Sequence, residues 1–356
     1  LLHLPFCTLR RLDALLSKMS RPWDGSCREC SVASSTMIRI ETTQGTLARR
    51  GFVDAEAAER VIDHWDDAHE PLLDVLAQCA DPDHALASLD RLCERVPDLL
   101  SRLIATPVLA RQLIMVLGAS NKLILHLLAY PEHIELLTDR LVKMPAEALR
   151  RELLEATGAD PESATPIATD PTGDQLRIAY RGALLRIAAR DLCAPEPLEV
   201  FADIADELSD LADATLEAAL SISRLKLGEN ALKTRLAVVG LGKCGAQELN
   251  YVSDVDVVFV AEPADAATAR LAGRVMRILG ESCFEVDANL RPEGRQGALV
   301  RTLDGHITYY KRWAKTWEFQ ALLKARPIAG DAELGKAYAE AVAPMVWSAA
   351  GRPDFV

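Results

Sequence analysis

The stretch VGLGKCGAQELNYVSDVDVVF, Val239–Phe259, restricts the chain more than any other part of it. An apolar run ends in three closely spaced glycines, Gly240, Gly242 and Gly245, and after a polar segment Asp254 and Asp256 head a Val/Phe run. If VDVVFV is a strand, its two-residue period sends both acids to one face, with their Cα atoms roughly 6.5–7 Å apart. Like charges held side by side are costly without a counter-ion, so the pair is either a solvated strand start or a divalent-cation site. The glycines bear on that choice. A glycine turn after a strand presents backbone N–H groups to an anion, and Lys243 lies inside the turn, within reach of a phosphate.

Gly240-x-Gly242-x-x-Gly245 also satisfies the dinucleotide fingerprint, which needs a long helix after the glycines and an acid ending the next strand, about 20 residues on. Here eight residues separate Gly245 from Asp254, and the acids begin the strand. The spacing disfavours a dinucleotide fold.

From Gly51 the pattern is helical for some 170 residues. Asp81-Pro82 and Thr106-Pro107 are helix starts, and Leu86, Leu89, Leu92 and Cys93, or Leu109, Leu113 and Val116, form stripes best read as core. His126 and His133 lie among leucines with no acid or cysteine partner and read as packed or surface residues. GADPESATPIATDPTG, 158–173, reads as a loop, and Arg177, Arg181 and Arg190 in the helix after it as a solvated row. The period changes after Gly228: RLAVVG and DVDVVFV are expected strands, AATARLAGRVMRILGESC a helix, and CFEVDANL a further strand bearing Glu285 and Asp287 on one face.

The chain has 356 residues, enough for two domains, and its 49% hydrophobic and 26% charged residues fit a soluble globular protein. A net charge of −12 opposes a nucleic-acid partner. No apolar run approaches the roughly 20 residues of a membrane span, and the start lacks a signal-peptide pattern, so no membrane association and a cytoplasmic location are expected. Cys27-x-x-Cys30 has no second ligand pair and reads as reduced thiols. Residues 1–36 carry a net +2 and are expected to be upstream sequence foreign to the natural protein, translation beginning near Met37.

GLGKCGAQELNYVSDVDVVF, followed by VDANLRPEGRQGALVRTL and KTWEFQALLKARPIAGD, resembles the bacterial glutamine synthetase adenylyltransferase/adenylyl-removing family, within the DNA polymerase β-like nucleotidyltransferase superfamily. LGASNKLILHLLAYPEHIELL and LLRIAARDL resemble its helical portion, so the likeness runs from about Gly51 to the end. Leu241 and Ala246 stand where that family often has Met and Gly. The resemblance implies an α+β, mostly α chain: a helical domain over 37–228, a nucleotidyltransferase domain with a small mixed sheet over 229–335, and the start of a following helical region over 336–356. The family enzyme is far longer and has two nucleotidyltransferase domains. An acid pair roughly 218 residues after Met37 matches its amino-terminal, adenylyl-removing half.

Carried over residue by residue, the family's catalytic and metal-binding acids fall on Asp254, Asp256 and, because the motif reads V-D-x-x-L-R-P, on Asp287 rather than Glu285. Gly240, Gly242, Lys243, Gly245, Ser253 and Arg291 are the implied nucleotide or phosphate contacts, with Arg295 and Arg301 as further anion candidates. Trp317 and Glu318 are expected to fix the following helix against the site. The implied chemistry is Mg²⁺-dependent, with two ions and with ATP, ADP and phosphate as substrates or products. Glutamine synthetase is the implied protein substrate and a PII signalling protein a further partner. Three alternatives stand beside adenylyl removal: the adenylylating direction, a nucleotidyltransferase on another substrate, and a catalytically silent regulatory module. The charge opposes a nucleic-acid substrate, and the complete acid set opposes the silent module.

Overall fold

The computed structural model describes residues 43–65, 69–228 and 233–351. The proposed foreign segment 1–36, with Cys27 and Cys30, lies outside the described residues. The chain gathers into two compact units, one holding the described residues up to Leu141 together with Ala188–Pro197, the other Val142–Ile187 and the residues from Leu198 on.

In the first unit short helices follow one another: α1 (Thr43–Arg49), α2 (Ala55–Ile62), α3 (Glu70–Leu76), α4 (Pro82–Arg95), α5 (Leu99–Ala105), α6 (Pro107–Leu117) and α7 (Asn121–Ala129), then a 3-10 turn (Pro131–Leu137). Asp54 and Asp81 cap α2 and α4 by accepting from the N–H groups of Ala57 and His84. Thr106 precedes α6 without a side-chain cap bond, and Pro107 alone marks that start. Of the expected stripes, Leu86, Leu89, Leu92, Leu109, Leu113 and Val116 are buried, while Cys93 is half-buried. His126 and His133 bond each other through Nε2 and Nδ1 at 2.9 Å, as packed rather than ligating histidines.

The second unit begins with α8 (Ala146–Ala156) and the loop 158–173, which is pinned rather than loose: Ala168 N–H donates to Ser221 O and Thr169 N–H to Thr157 O. Next come α9 (Asp174–Leu192), whose last turn belongs to the first unit, and the 29-residue α10 (Pro197–Leu225). Arg177, Arg181 and Arg190 are half-buried on α9, not a fully solvated row. The remaining elements are β1 (Arg235–Gly240), the single turn α11 (Gly242–Gly245), β2 (Val255–Glu262), α12 (Ala266–Ser282), β3 (Val286–Asp287), β4 (Val300–Arg301), α13 (Leu303–Arg312), α14 (Thr316–Leu322), β5 (Arg326–Gly330) and α15 (Ala332–Ala350).

The sheet has the order β3-β2-β1-β5, with β4 also on β2. β1 runs antiparallel to β2 and β5, whereas β3 and β4 lie parallel to β2, so the sheet is mixed and the fold α+β, mostly α. Strand alternation divides the core. Leu236, Val238, Val257 and Phe259 pack with α8, α9, α10 and α12, while Ala237, Val239, Val258 and Val260 pack with α13, α14 and α15.

One expectation needs correction. The strand expected from CFEVDANL is only Val286–Asp287, because Asp287 Oδ1 accepts from Asn289 N–H at 2.6 Å and turns the chain out of the ladder. The division at 335/336 falls inside α15, a single helix capped by Asp331 whose buried stripe, Leu334, Tyr338, Val342, Val346 and Ala349, belongs to the sheet's core. The division at 228/229 likewise separates α10 from strands with which it shares a compact unit and a core.

Candidate active site

Gly240 ends β1 between Val257 on β2 and Arg326 on β5. Leu241 N–H donates to Asp256 O at 2.8 Å, and the chain then reverses at Gly242, whose φ is +52°. A Cβ on Gly242 would lie 2.4 Å from Asp256 Oδ2, so turn and carboxylate fit only because residue 242 has no side chain. At Gly245 the pressure comes from backbone: a Cβ there would stand 1.9 Å from Lys324 O. Gly242 and Asp256, 14 positions apart in sequence, thus form one contact.

Asp254 immediately precedes β2, Asp256 is its second residue, and Asp287 on β3 is the register partner of Asp256. Burial first, then the charges of Asp287 and Asp254, hold the Asp256 carboxyl above its ordinary value, and Lys243 pulls the other way. Lys243 Nζ donates to Ser253 Oγ at 3.1 Å, and Ser253 Oγ–H donates to Asn250 Oδ1 at 3.0 Å. Two expected phosphate contacts therefore bond each other across the mouth of the turn, with Asn250, which the sequence reading missed, as their anchor.

Asp254, Glu285, Asp287, Asn289, Arg291 and Arg295 line a cleft of about 380 Å³ floored by Met276. The expected contact Arg291 is occupied within its own loop: it donates to the carbonyls of Gly297, Ala288 and Arg295 at 3.1, 2.8 and 3.2 Å. Arg295 gives only Nε, to Asn289 Oδ1 at 3.2 Å, and its Nη groups have no partner among the described residues. Arg301 pairs with Glu293 and lies over the Tyr309 ring. Trp317, in the first turn of α14, is 49% exposed. Glu318 is buried and accepts from Lys315 N–H at 2.8 Å, capping α14.

No group of three or more His, Cys, Asp or Glu among the described residues is arranged to hold a metal ion as the side chains stand. Asp254, Asp256 and Asp287 are neighbours that do not close round one point, and one oxygen of Asp287 is taken by Asn289. In chemistry, however, the set fits Mg²⁺: all three are hard carboxylate donors, and the repulsion felt by Asp256 is what a divalent cation relieves. Among the described residues no helix is long and apolar enough to cross a membrane.

Glycine turn, acid pair and third acid meet on one small mixed sheet, the layout expected of a nucleotidyltransferase. More particularly, the chain belongs to the glutamate-ammonia ligase adenylyltransferase family, whose model matches residues 110–341. Proteins named bifunctional glutamine synthetase adenylyltransferase/adenylyl-removing enzyme are similar to it. The one from Streptomyces avermitilis is 48% identical over 344 residues, covering 89% of this chain and 33% of its own length. That from Mycobacterium avium is 48% identical over 328 residues, covering 87% and 32%. This chain therefore spans about a third of the length of the curated relatives it matches.

Proposed function

We propose that this chain carries a nucleotidyltransferase centre acting on glutamine synthetase, and that it works in the adenylyl-removing direction. The observation that carries the reading is the seating of the Gly242 turn against the Asp256 carboxylate, with Asp254 and Asp287 beside it. An oxygen of inorganic phosphate attacks the phosphorus of AMP esterified to a tyrosine. The new P–O bond makes ADP, the bond to the phenolic oxygen breaks, and the tyrosine leaves with a proton. Asp254, Asp256 and Asp287 would hold Mg²⁺, as two ions, which when bound neutralises the phosphoryl oxygens of an in-line transfer. Lys243 turns from Ser253 to the phosphate, Gly240 and Gly245 fix the backbone around it, and Arg295, rather than Arg291, offers free guanidinium N–H groups in the cleft.

The helical run ahead of β1 supports the removing direction. The relatives' names carry both activities, so the adenylylating direction, in which the tyrosine attacks the α-phosphorus of ATP and pyrophosphate leaves, is the second reading. A cytoplasmic site of action, a PII protein as regulator and no nucleic-acid partner complete the proposal, the last on the net charge of −12. Incubation with adenylylated glutamine synthetase, Mg²⁺ and phosphate should release ADP in a phosphate-dependent way, and unmodified synthetase should gain no AMP from ATP. Labelling from ATP without phosphorolysis would reverse the direction, and absence of both activities in a folded protein that binds Mg²⁺ would withdraw catalysis by this chain alone.

A further inference from the structure

The segment that carries the glycine turn is held from behind by one helix. α10 presents Asp206, Ser209, Asp210 and Asp213 at helical spacing, and each bonds a residue between Cys244 and Leu249. Leu249 N–H donates to Ser209 Oγ at 3.3 Å. Gln247 Nε2 donates to Asp206 Oδ1 at 2.6 Å and to Asp210 Oδ1 at 3.3 Å, while its backbone sits at φ +57°. A left-handed backbone is disfavoured for glutamine, so these bonds offset a local strain. Lys143 pairs with Asp206 and offsets part of the row's charge.

Arg326, at the start of β5, completes the arrangement. Its Nη1 pairs with Asp213 Oδ2 and its Nη2 lies 3.2 Å from Asp213 Oδ1. The same guanidinium donates to Cys244 O at 2.9 Å and to Gly245 O at 3.3 Å, the last carbonyls of the turn. Asp213, 17% exposed, also accepts from Cys244 Sγ–H at 3.7 Å. A planar fork bonding both the carboxylate and two carbonyls fixes the turn's orientation as a lysine's point charge does not.

We propose that Arg326, locked by Asp213, is a positioning residue for the reaction: it sets how Gly242 and Lys243 meet the transferred phosphate and Asp256. The inference rests on the nucleotidyltransferase reading above. It is tested with Arg326→Lys and Arg326→Ala, using ADP with Mg²⁺ as the binding probe in calorimetry and phosphate-dependent ADP release as the activity. Arg326→Lys keeps a single ion pair with Asp213 and should unfold only a few degrees below wild type, yet when folded bind ADP about tenfold more weakly and raise the KM for phosphate more than it lowers kcat. Arg326→Ala should lose further affinity and regain it with added guanidinium. Equal ADP affinity in wild type and Arg326→Lys would overturn the proposal, as would a loss of affinity that merely tracks unfolding. Wild-type protein that binds ADP without releasing it from adenylylated synthetase would sink the removing reaction, while the affinity comparison still decides the role of Arg326. Wild type with no ADP affinity overturns both.

Discussion

Gly242→Ala isolates the contact on which the functional reading rests. Two costs follow from the geometry. An alanine at φ +52° sits in the left-handed region, which costs about 1–2 kcal/mol. Its Cβ would also meet Asp256 Oδ2 at 2.4 Å, where ordinary contact begins at 3.4 Å, so the carboxylate must retreat by about 1 Å. Stability should fall modestly, by about 2–4 °C in Tm per kcal/mol. Activity should fall far more, since a displacement of about 1 Å at a reacting centre costs on the order of 100-fold. Gly228→Ala is the matched control: its φ is +57°, but a Cβ there meets nothing within 4 Å among the described residues. Thermal unfolding and ADP release are measured on both variants. Both should lose similar stability, and only Gly242→Ala should lose turnover. Near wild-type ADP release by Gly242→Ala, or an equal loss in Gly228→Ala, would refute the idea that the turn's fit against Asp256 matters.

Asp256→Asn should abolish turnover and, without divalent cations, stabilise the fold at neutral pH. Because the folded Asp256 carboxyl lies above its ordinary value, deprotonation disfavours the native state. The gain from Asn should therefore be absent below about pH 4 and appear as pH rises through the folded value; equal unfolding temperatures for the two proteins at pH 7.5 would contradict it. Arg295→Ala should raise the KM for phosphate about tenfold at unchanged Tm, consistent with one lost charge-assisted contact, whereas Arg291→Ala should lower Tm by freeing three loop carbonyls. The opposite pattern would exchange their roles. Glu217→Gln breaks a buried pair with Arg224, 2.9 Å apart, whose carboxylate also accepts from Gly330 N–H, and should cost about 3–5 kcal/mol in urea unfolding. A change under about 1 kcal/mol would show that the pair is neutral to stability.

What the sequence disclosed was local. Asp254 and Asp256 share a face because strand parity is fixed by the backbone, and β1, β2 and α12 were visible in the switch of hydrophobic period. β3 and β4 pair over two residues each, their register set by β2 rather than by any pattern of their own. Asp213 and Arg326 lie 113 residues apart, so nothing nearby in sequence marks either as a brace. Gln247 gave no sign of its left-handed backbone, since the carboxylates that hold it belong to α10.

α10 shares its core with the strands that follow position 228, and its polar residues give the physical reason. Periodicity reports that a helix has a buried face, not what covers it, and polar residues on the other faces read as solvated. Here they are buried: Ser209, Thr215, Glu217, Ser221, Ser223 and Arg224 all lie within the core. The small hydroxyls manage this by bonding back along their own helix, Ser209 to Ala205 O, Thr215 to Leu211 O and Ser223 to Ala219 O. Glu217 and Arg224 neutralise each other, and their remaining groups satisfy Gly330 N–H and Pro166 O. A helix whose polar residues are satisfied internally can be enclosed on nearly every side, and only such a helix can lie beneath the sheet while its acid row grips the glycine turn.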